Sequence, residues 1–158
     1  MDLSNCEDIY IVCDTSGSMA ESAKGLIVRG VVRNIEQYAR YGLCKFNIKL
    51  IYWNSTASLI EWNPDDEFPS IFFKYGGSSN AQKLLEILTN IKGKILLLTD
   101  GFWPKEDAKI IKQWKRTLPS NSIKIIKIGA DVNLLSADED TFTVDELLVV
   151  LYEFGLFA

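Results

Sequence analysis

Short apolar runs alternate with stretches of helical periodicity along this 158-residue chain. Ile9 to Cys13 is a continuous apolar run that ends at Asp14, the pattern of a buried strand. From Met19 to Tyr41 the period lengthens. Ile27, Val31, Ile35 and Tyr38 recur at helical spacing, which predicts a helix over that span. Phe46 to Trp53 reads as a strand, with Phe46, Ile48, Leu50 and Tyr52 at alternate positions. Ala57 to Trp62 reads as another, joined to it by the short polar connection Asn54-Ser55-Thr56, the mark of a hairpin. A long irregular segment, Asn63 to Ser79, carries Pro64, Pro69, Gly76 and Gly77; connections this long in a compact domain are often functional.

The pattern then resumes. Ala81 to Ile91 is helical, with Leu84, Leu85, Leu88 and Ile91 on one face, and Lys94 to Thr99 is a buried strand ending at Asp100-Gly101. Pro104 suits a first helical turn, where its missing amide hydrogen would be orphaned anyway, and that helix runs to about Leu118. Ser122 to Ile128 is a strand. Thr143 to Glu146 has the capping-box form and opens a last helix over 144–154. Strands alternating with helices imply an α/β, Rossmann-like, doubly wound sheet, mainly parallel, with helices on both faces and one antiparallel edge strand from the hairpin. No repeat or linker interrupts the pattern, so residues 1–158 are read as a single domain.

Composition narrows the function. At 47% hydrophobic and 24% charged, the chain has the material for a core. A net charge of −4 disfavours nucleic acid and anionic lipid as partners, since both require a basic footprint. No apolar stretch reaches the ~20 residues that span a bilayer, and the N-terminus lacks a secretory leader. The three cysteines, Cys6, Cys13 and Cys44, form neither a disulfide framework nor a metal knuckle, so a reducing cytoplasmic setting is expected. Histidine is absent, which excludes His-based triads, His zinc ligands and His general bases.

In doubly wound sheets, ligands bind beyond the carboxyl ends of the strands, near the switch in strand order. Two polar elements fall at such ends: Asp14-Thr-Ser-Gly-Ser18 after the first strand and Asp100-Gly101 after the central one. Asp14, Ser16 and Ser18 offer one carboxylate and two hydroxyls, a hard oxygen set of low charge that suits Mg2+. A divalent ion held this way is under-compensated and calls for a further anion. The competing reading makes the same residues an N-cap cluster for the following helix.

Asp14-Thr-Ser-Gly-Ser-Met19 resembles the first segment of the metal-ion-dependent adhesion site of von Willebrand factor A (VWA) domains. Gly76-Gly-Ser-Ser-Asn80 resembles that family's second loop and Leu97-Leu-Thr-Asp-Gly101 its third, in the same order along the chain. The resemblance implies that Ser16 and Ser18 bind the metal through their hydroxyls, that Asp14 and Asp100 act directly or through water, and that Ser79 joins or leaves the ligand set. The helix register favours Ser79 over Ser78 at the position where the family has threonine. Serine there keeps the oxygen and loses the methyl that stiffens the rotamer.

Resemblance to bacterial cytosolic single-domain (TerY-like) members further implies a non-enzymatic module in a multi-protein system. There, Mg2+ (or Mn2+ or Ca2+ in its place) would capture an Asp, Glu or C-terminal carboxylate of a partner protein. Phe102, Trp103 and Tyr75 are candidates for an aromatic rim around that contact, with core plugs as the alternative for Trp103 and, more strongly, for Phe72 and Phe73. Trp53 and Trp62 are expected to pack in the hairpin. Lys124 and Lys127 read as a solvated edge strand, and Asp138, Glu139 and Asp140 as a solvated acidic turn. Two rival functions stand beside this one. A haloacid-dehalogenase-like, Mg-dependent phosphohydrolase would need a second carboxylate where Ser16 stands; a structural subunit would carry a vestigial site.

Overall fold

The computed structural model describes residues 6–129 and 140–157. The chain runs β1 (Glu7–Asp14), α1 (Lys24–Arg40), β2 (Phe46–Trp53), β3 (Ala57–Ile60), α2 (Ala81–Leu88), β4 (Lys94–Thr99), α3 (Lys105–Lys115), β5 (Ile123–Lys127), β6 (Thr141–Phe142) and α4 (Leu147–Glu153). The strands form one sheet in the order β3-β2-β1-β4-β5-β6. All neighbours are parallel except β2 and β3, the hairpin at one edge. The chain leaves β1 toward β2 and β3, then returns to lay β4 on the other side of β1. The reversal between β1 and β4 is the topological switch point.

Alternate residues of the central strands feed two cores. Ile9, Ile11, Cys13, Leu96 and Leu98 face α1 and α4, where Val28, Val31, Val32, Ile35, Val150 and Leu151 meet them. Val12, Ile51, Trp53, Leu97 and Ile125 face the opposite way onto α2 and α3, through Leu84, Leu88 and Ile111. Both sheet faces are therefore dry, which is why these strands read as near-continuous apolar runs.

Several expected boundaries shift for physical reasons. The helix expected from Met19 begins at Lys24, because Ser22 and Ala23 take left-handed backbone angles (φ 54° and 57°) that break any helix. Residues Gly17–Ala20 form a separate 3-10 turn that buries Met19. With that start, the core face of α1 is Val28, Val31, Val32 and Ile35, while Ile27 is partly exposed. The capping box at Thr143 is present, with the Glu146 carboxylate accepting the Thr143 amide at 3.0 Å, but it opens a 3-10 turn that leads into α4. Phe68 and Phe72 are buried and plug the core beneath the long 63–79 segment, and Phe73 packs on them. Arg33 holds the same segment by donating to the carbonyls of Pro64 (2.8 Å) and Asp66 (2.7 Å). Trp53 is fully buried, and Trp62 meets Phe68 edge-on with the Arg33 guanidinium over its ring.

The reading of Lys124 as a solvated edge position is overturned. A short strand, β6, pairs with β5, and the Lys124 side chain is buried between the Phe142 and Phe154 rings with its ammonium 2.7 Å from Glu153. Of the acidic turn, only Asp140 lies within the described residues; it forms an ion pair with Lys115 at 3.3 Å.

Candidate metal centre

Adjacent parallel strands β1 and β4 deliver Asp14 and the Thr99-Asp100 pair to the same end of the sheet, at the switch point. Both carboxylates are buried, as are Thr15, Ser16, Ser79 and Thr99 around them. Asp14 is the hub. Its Oδ2 accepts from the Thr99 hydroxyl at 2.6 Å and its Oδ1 from the Ser16 amide at 2.8 Å. The Ser79 hydroxyl stands 3.5 Å from both oxygens. Asp100 Oδ1 accepts from the Phe102 amide at 3.1 Å, and Oδ2 from the Lys24 ammonium at 3.1 Å.

The loops that carry these groups are tied together by their backbones. The Gly17 amide donates to Gly77 O (3.0 Å) and the Gly76 amide to Thr15 O (3.1 Å), which joins the first loop to the second. Thr15 is anchored in turn to the end of β2, its amide and hydroxyl both donating to Trp53 O. Gly77 adopts φ +68°, and a Cβ there would lie 3.0 Å from the Ser55 hydroxyl, so this crossing needs glycine. Asn80 caps α2 by accepting from the Lys83 amide, and the Asp107 carboxylate accepts from the Ala81 amide. These contacts set Ser79, one residue ahead of the cap, against Asp14. Its neighbour Ser78 is exposed.

The capping alternative for the first loop does not describe this geometry. The residue ahead of α1 is Ala23, and Ser16 makes no side-chain cap. The Ser16 hydroxyl is instead buried near the Asp14 carboxylate and, like the Thr141 hydroxyl, has no hydrogen-bond partner of good geometry among the described residues. A buried hydroxyl without a partner is uncommon, and a bound ion or water would satisfy it. Beside it opens a cleft of about 360 Å³, lined by Ser16, Ser18, Gly77, Ser78, Phe102 and Trp103. Two carboxylates, a buried unsatisfied hydroxyl and further serine oxygens fit a hard, oxygen-seeking divalent cation. Among the described residues, no group of three or more His, Cys, Asp or Glu side chains gathers as a metal cage. The set is hydroxyl-rich and low in charge. Burial pushes the Asp14 carboxyl above its ordinary range. The hydrogen bonds from Thr99 and Ser16 oppose that rise, and the nearby Asp100 charge adds to it.

The aromatic candidates divide. Phe102 is nearly half exposed and stands over the Lys24 ammonium, 5.4 Å from ring centre to nitrogen. Trp103 lines the cleft but is tied inward, its indole N–H donating to Thr99 at 3.0 Å and its ring meeting Trp53 edge-on. Tyr75 is partly buried against α1, with its hydroxyl so close to Gly25 that a Cβ there would collide with it. Thr99 and Lys24 are the members of this cluster that sequence reasoning passed over. Thr99 carried a signal, as a hydroxyl residue between an apolar strand and Asp-Gly. Lys24 carried none, since its burial arises only from the late start of α1.

No protein-family model matches the chain, and no curated protein matches it in sequence. Its likeness is to solved structures. The manganese-loaded TRAP protein of Plasmodium vivax superposes with a TM-score of 0.61 at 15% identity, covering 97% of this chain and 74% of that one. The ArnB paralog VWA2 from Sulfolobus acidocaldarius gives 0.59 at 18% identity, covering 90% and 43%. Proximal thread matrix protein 1 from the mussel byssus gives 0.54 at 16% identity, covering 93% and 44%. The fold is of the VWA type. The chain spans about three quarters of the first of these proteins and less than half of the other two.

Proposed function

We propose that this chain is a non-enzymatic protein-interaction module that grips a partner's carboxylate through a divalent cation, Mg2+ or Mn2+, in a cytosolic assembly. The observation that carries the reading is the buried Ser16 hydroxyl, without a hydrogen-bond partner of good geometry among the described residues, beside Asp14 at the switch point. Ser16, Ser18, Ser79, Asp14 and Asp100 would hold the ion, which when bound supplies Lewis acidity toward an incoming carboxylate. The chain's own residues do the rest. Thr99 and the Ser16 amide orient the Asp14 carboxylate, and Asn80 and Asp107 fix the loop that carries Ser79. Phe102 offers an exposed aromatic surface at the mouth of the cleft.

The low charge of the donor set leaves a divalent ion short of anions, which favours a carboxylate from outside. The likeness to a manganese-loaded protein of the same fold supports a metal. A serine at position 16, where a phosphohydrolase of the rival type needs a carboxylate, argues for binding over catalysis. Free thiols at Cys6, Cys13 and Cys44 agree with a reducing compartment, and among the described residues no helix is long and apolar enough to cross a membrane.

The test is calorimetric titration of Mg2+ and Mn2+ into chelator-stripped protein, with Asp14→Ala alongside. The expected outcome is saturable binding at one site in the wild type and none in the variant. Undiminished binding to Asp14→Ala would place the cation elsewhere and end the proposal.

A further inference from the structure

The hairpin leaves part of its own edge open. β2 has eight residues, but β3 pairs only with its second half, Leu50–Trp53. Beyond Ile60 the chain turns away from β2: Trp62 packs on Phe68, and Arg33 of α1 donates to the Pro64 carbonyl at 2.8 Å. Among the described residues, no strand pairs with the outer edge of Phe46–Lys49. Backbone groups of successive residues point to opposite sides of a strand. The Trp53 carbonyl turns inward, to the Thr15 amide, and the Asn54 amide turns outward, to Thr56 O. By the same alternation, Phe46 and Ile48 direct their N–H and C=O groups to the open edge. Beside them lies a cavity of about 400 Å³, whose apolar lining includes Ala39, Cys44, Phe46, Ile48 and Pro64. Glu36 also lines it and is taken up by Arg40. Lys45 and Lys49, at the positions between and around these residues, are both exposed.

We infer that the Phe46–Lys49 edge is a docking site for an extended acidic segment of a partner protein, which adds to the sheet as a further strand beside β2. Main-chain hydrogen bonds to Phe46 and Ile48 hold the segment. Its acidic side chains, at alternate positions, lie along Lys45 and Lys49, and the apolar ones between them turn toward the cavity. Charge selects this occupant over a second copy of the chain. Two β2 edges paired antiparallel about Asn47 would set Lys45 against Lys49, and like charges directly opposite destabilise a ladder. Phe46 stands across from Glu7, at the start of β1, so this edge lies at the far end of the sheet from Asp14 and its use requires no cation.

The probe is an octapeptide of alternating Glu and Val, blocked at both ends and titrated in chelator, so that the candidate metal centre plays no part. Binding is read by calorimetry and by amide hydrogen exchange at Phe46 and Ile48. Saturable binding is expected, and with peptide at about ten times its Kd both amides exchange about tenfold more slowly. The double variant Lys45→Glu, Lys49→Glu is expected to bind the peptide about tenfold more weakly and to gain binding of the Lys-Val counterpart, which also shows that it is folded. A Glu-Val peptide with N-methylated backbone amides is expected not to bind. Binding that survives N-methylation or ignores the charge reversal overturns strand addition at this edge. No binding to wild type also overturns it and leaves the two lysines as guards that keep the edge from pairing. Neither result bears on the cation site.

Discussion

Two lysines are buried among the described residues, and they differ in kind. Lys124 on β5 points under α4, where its ammonium meets the Glu153 carboxylate at 2.7 Å between two aromatic rings. Glu153 is 41% exposed, so the pair leads outward to water. Lys24 meets Asp100 at 3.1 Å, and Asp100 is 1% exposed, so this pair is closed in on both sides. The first arrangement pins α4 and β6 over β5. The second lies beside the hub carboxylate Asp14 and the loops that carry Ser16 and Ser79. Buried charge is thus a structural anchor at one end of the sheet and part of a poised site at the other. The partner's exposure tells them apart.

The largest expected effect tests that distinction directly. In metal-free protein, Lys24→Met is expected to cost about 3 kcal/mol, because it takes the ammonium away from a buried carboxylate. Lys124→Met is expected to cost about 1 kcal/mol or less, since Glu153 turns into solvent and the apolar stem is retained. Urea midpoints at matched slope measure both, and an equal or larger loss at Lys124 would erase the contrast.

A smaller effect sharpens it. Ser16→Ala removes a buried hydroxyl that has no partner of good geometry among the described residues, so stability should hold or rise by up to about 1 kcal/mol while cation affinity falls. A clear loss of stability in Ser16→Ala, seen in the same urea series, would mean that the hydroxyl is satisfied within the fold.

The smallest effect is read as a slope against pH. Because burial raises the Asp14 carboxyl above its unfolded value, the folded chain holds that proton more tightly than the unfolded chain. Its contribution therefore favours the fold at low pH and is lost as pH rises through the raised folded value. In the presence of chelator, the stability gap between wild type and Asp14→Ala should narrow as pH increases through that window. A gap that widens with pH would show that Asp14 is held ionised in the metal-free fold.

Much of the fold was legible residue by residue. Phe46–Trp53 matches its alternating pattern at both ends, and Lys94–Thr99 matches its apolar run, because a strand buried on both faces reads as apolar throughout. The start of α1 was not legible. Met19 continues the apolar spacing, and the break at Ser22 and Ala23 lies in backbone angles that neither residue advertises. Lys124 was misread because a two-residue strand leaves almost no periodicity, yet β6 converts an apparent edge into an interior position. At the site, Asp14, Ser16, Ser79 and Asp100 could be picked out as loop residues of suitable chemistry. Thr99 bonding Asp14 and Lys24 bonding Asp100 could not, since each joins residues more than seventy positions apart.

By itself, then, the sequence determined the alternation of strands and helices, the strand ends at which polar loops begin, and the oxygen-rich character of those loops. All of these follow from local periodicity and side-chain chemistry. Only the tertiary structure decided that β1 lies beside β4, that Lys24 is drawn to Asp100, and that the Ser16 hydroxyl is buried beside Asp14. Distances across the molecule depend on strand order and on a few unusual backbone angles, and no local pattern of apolar and polar residues encodes either.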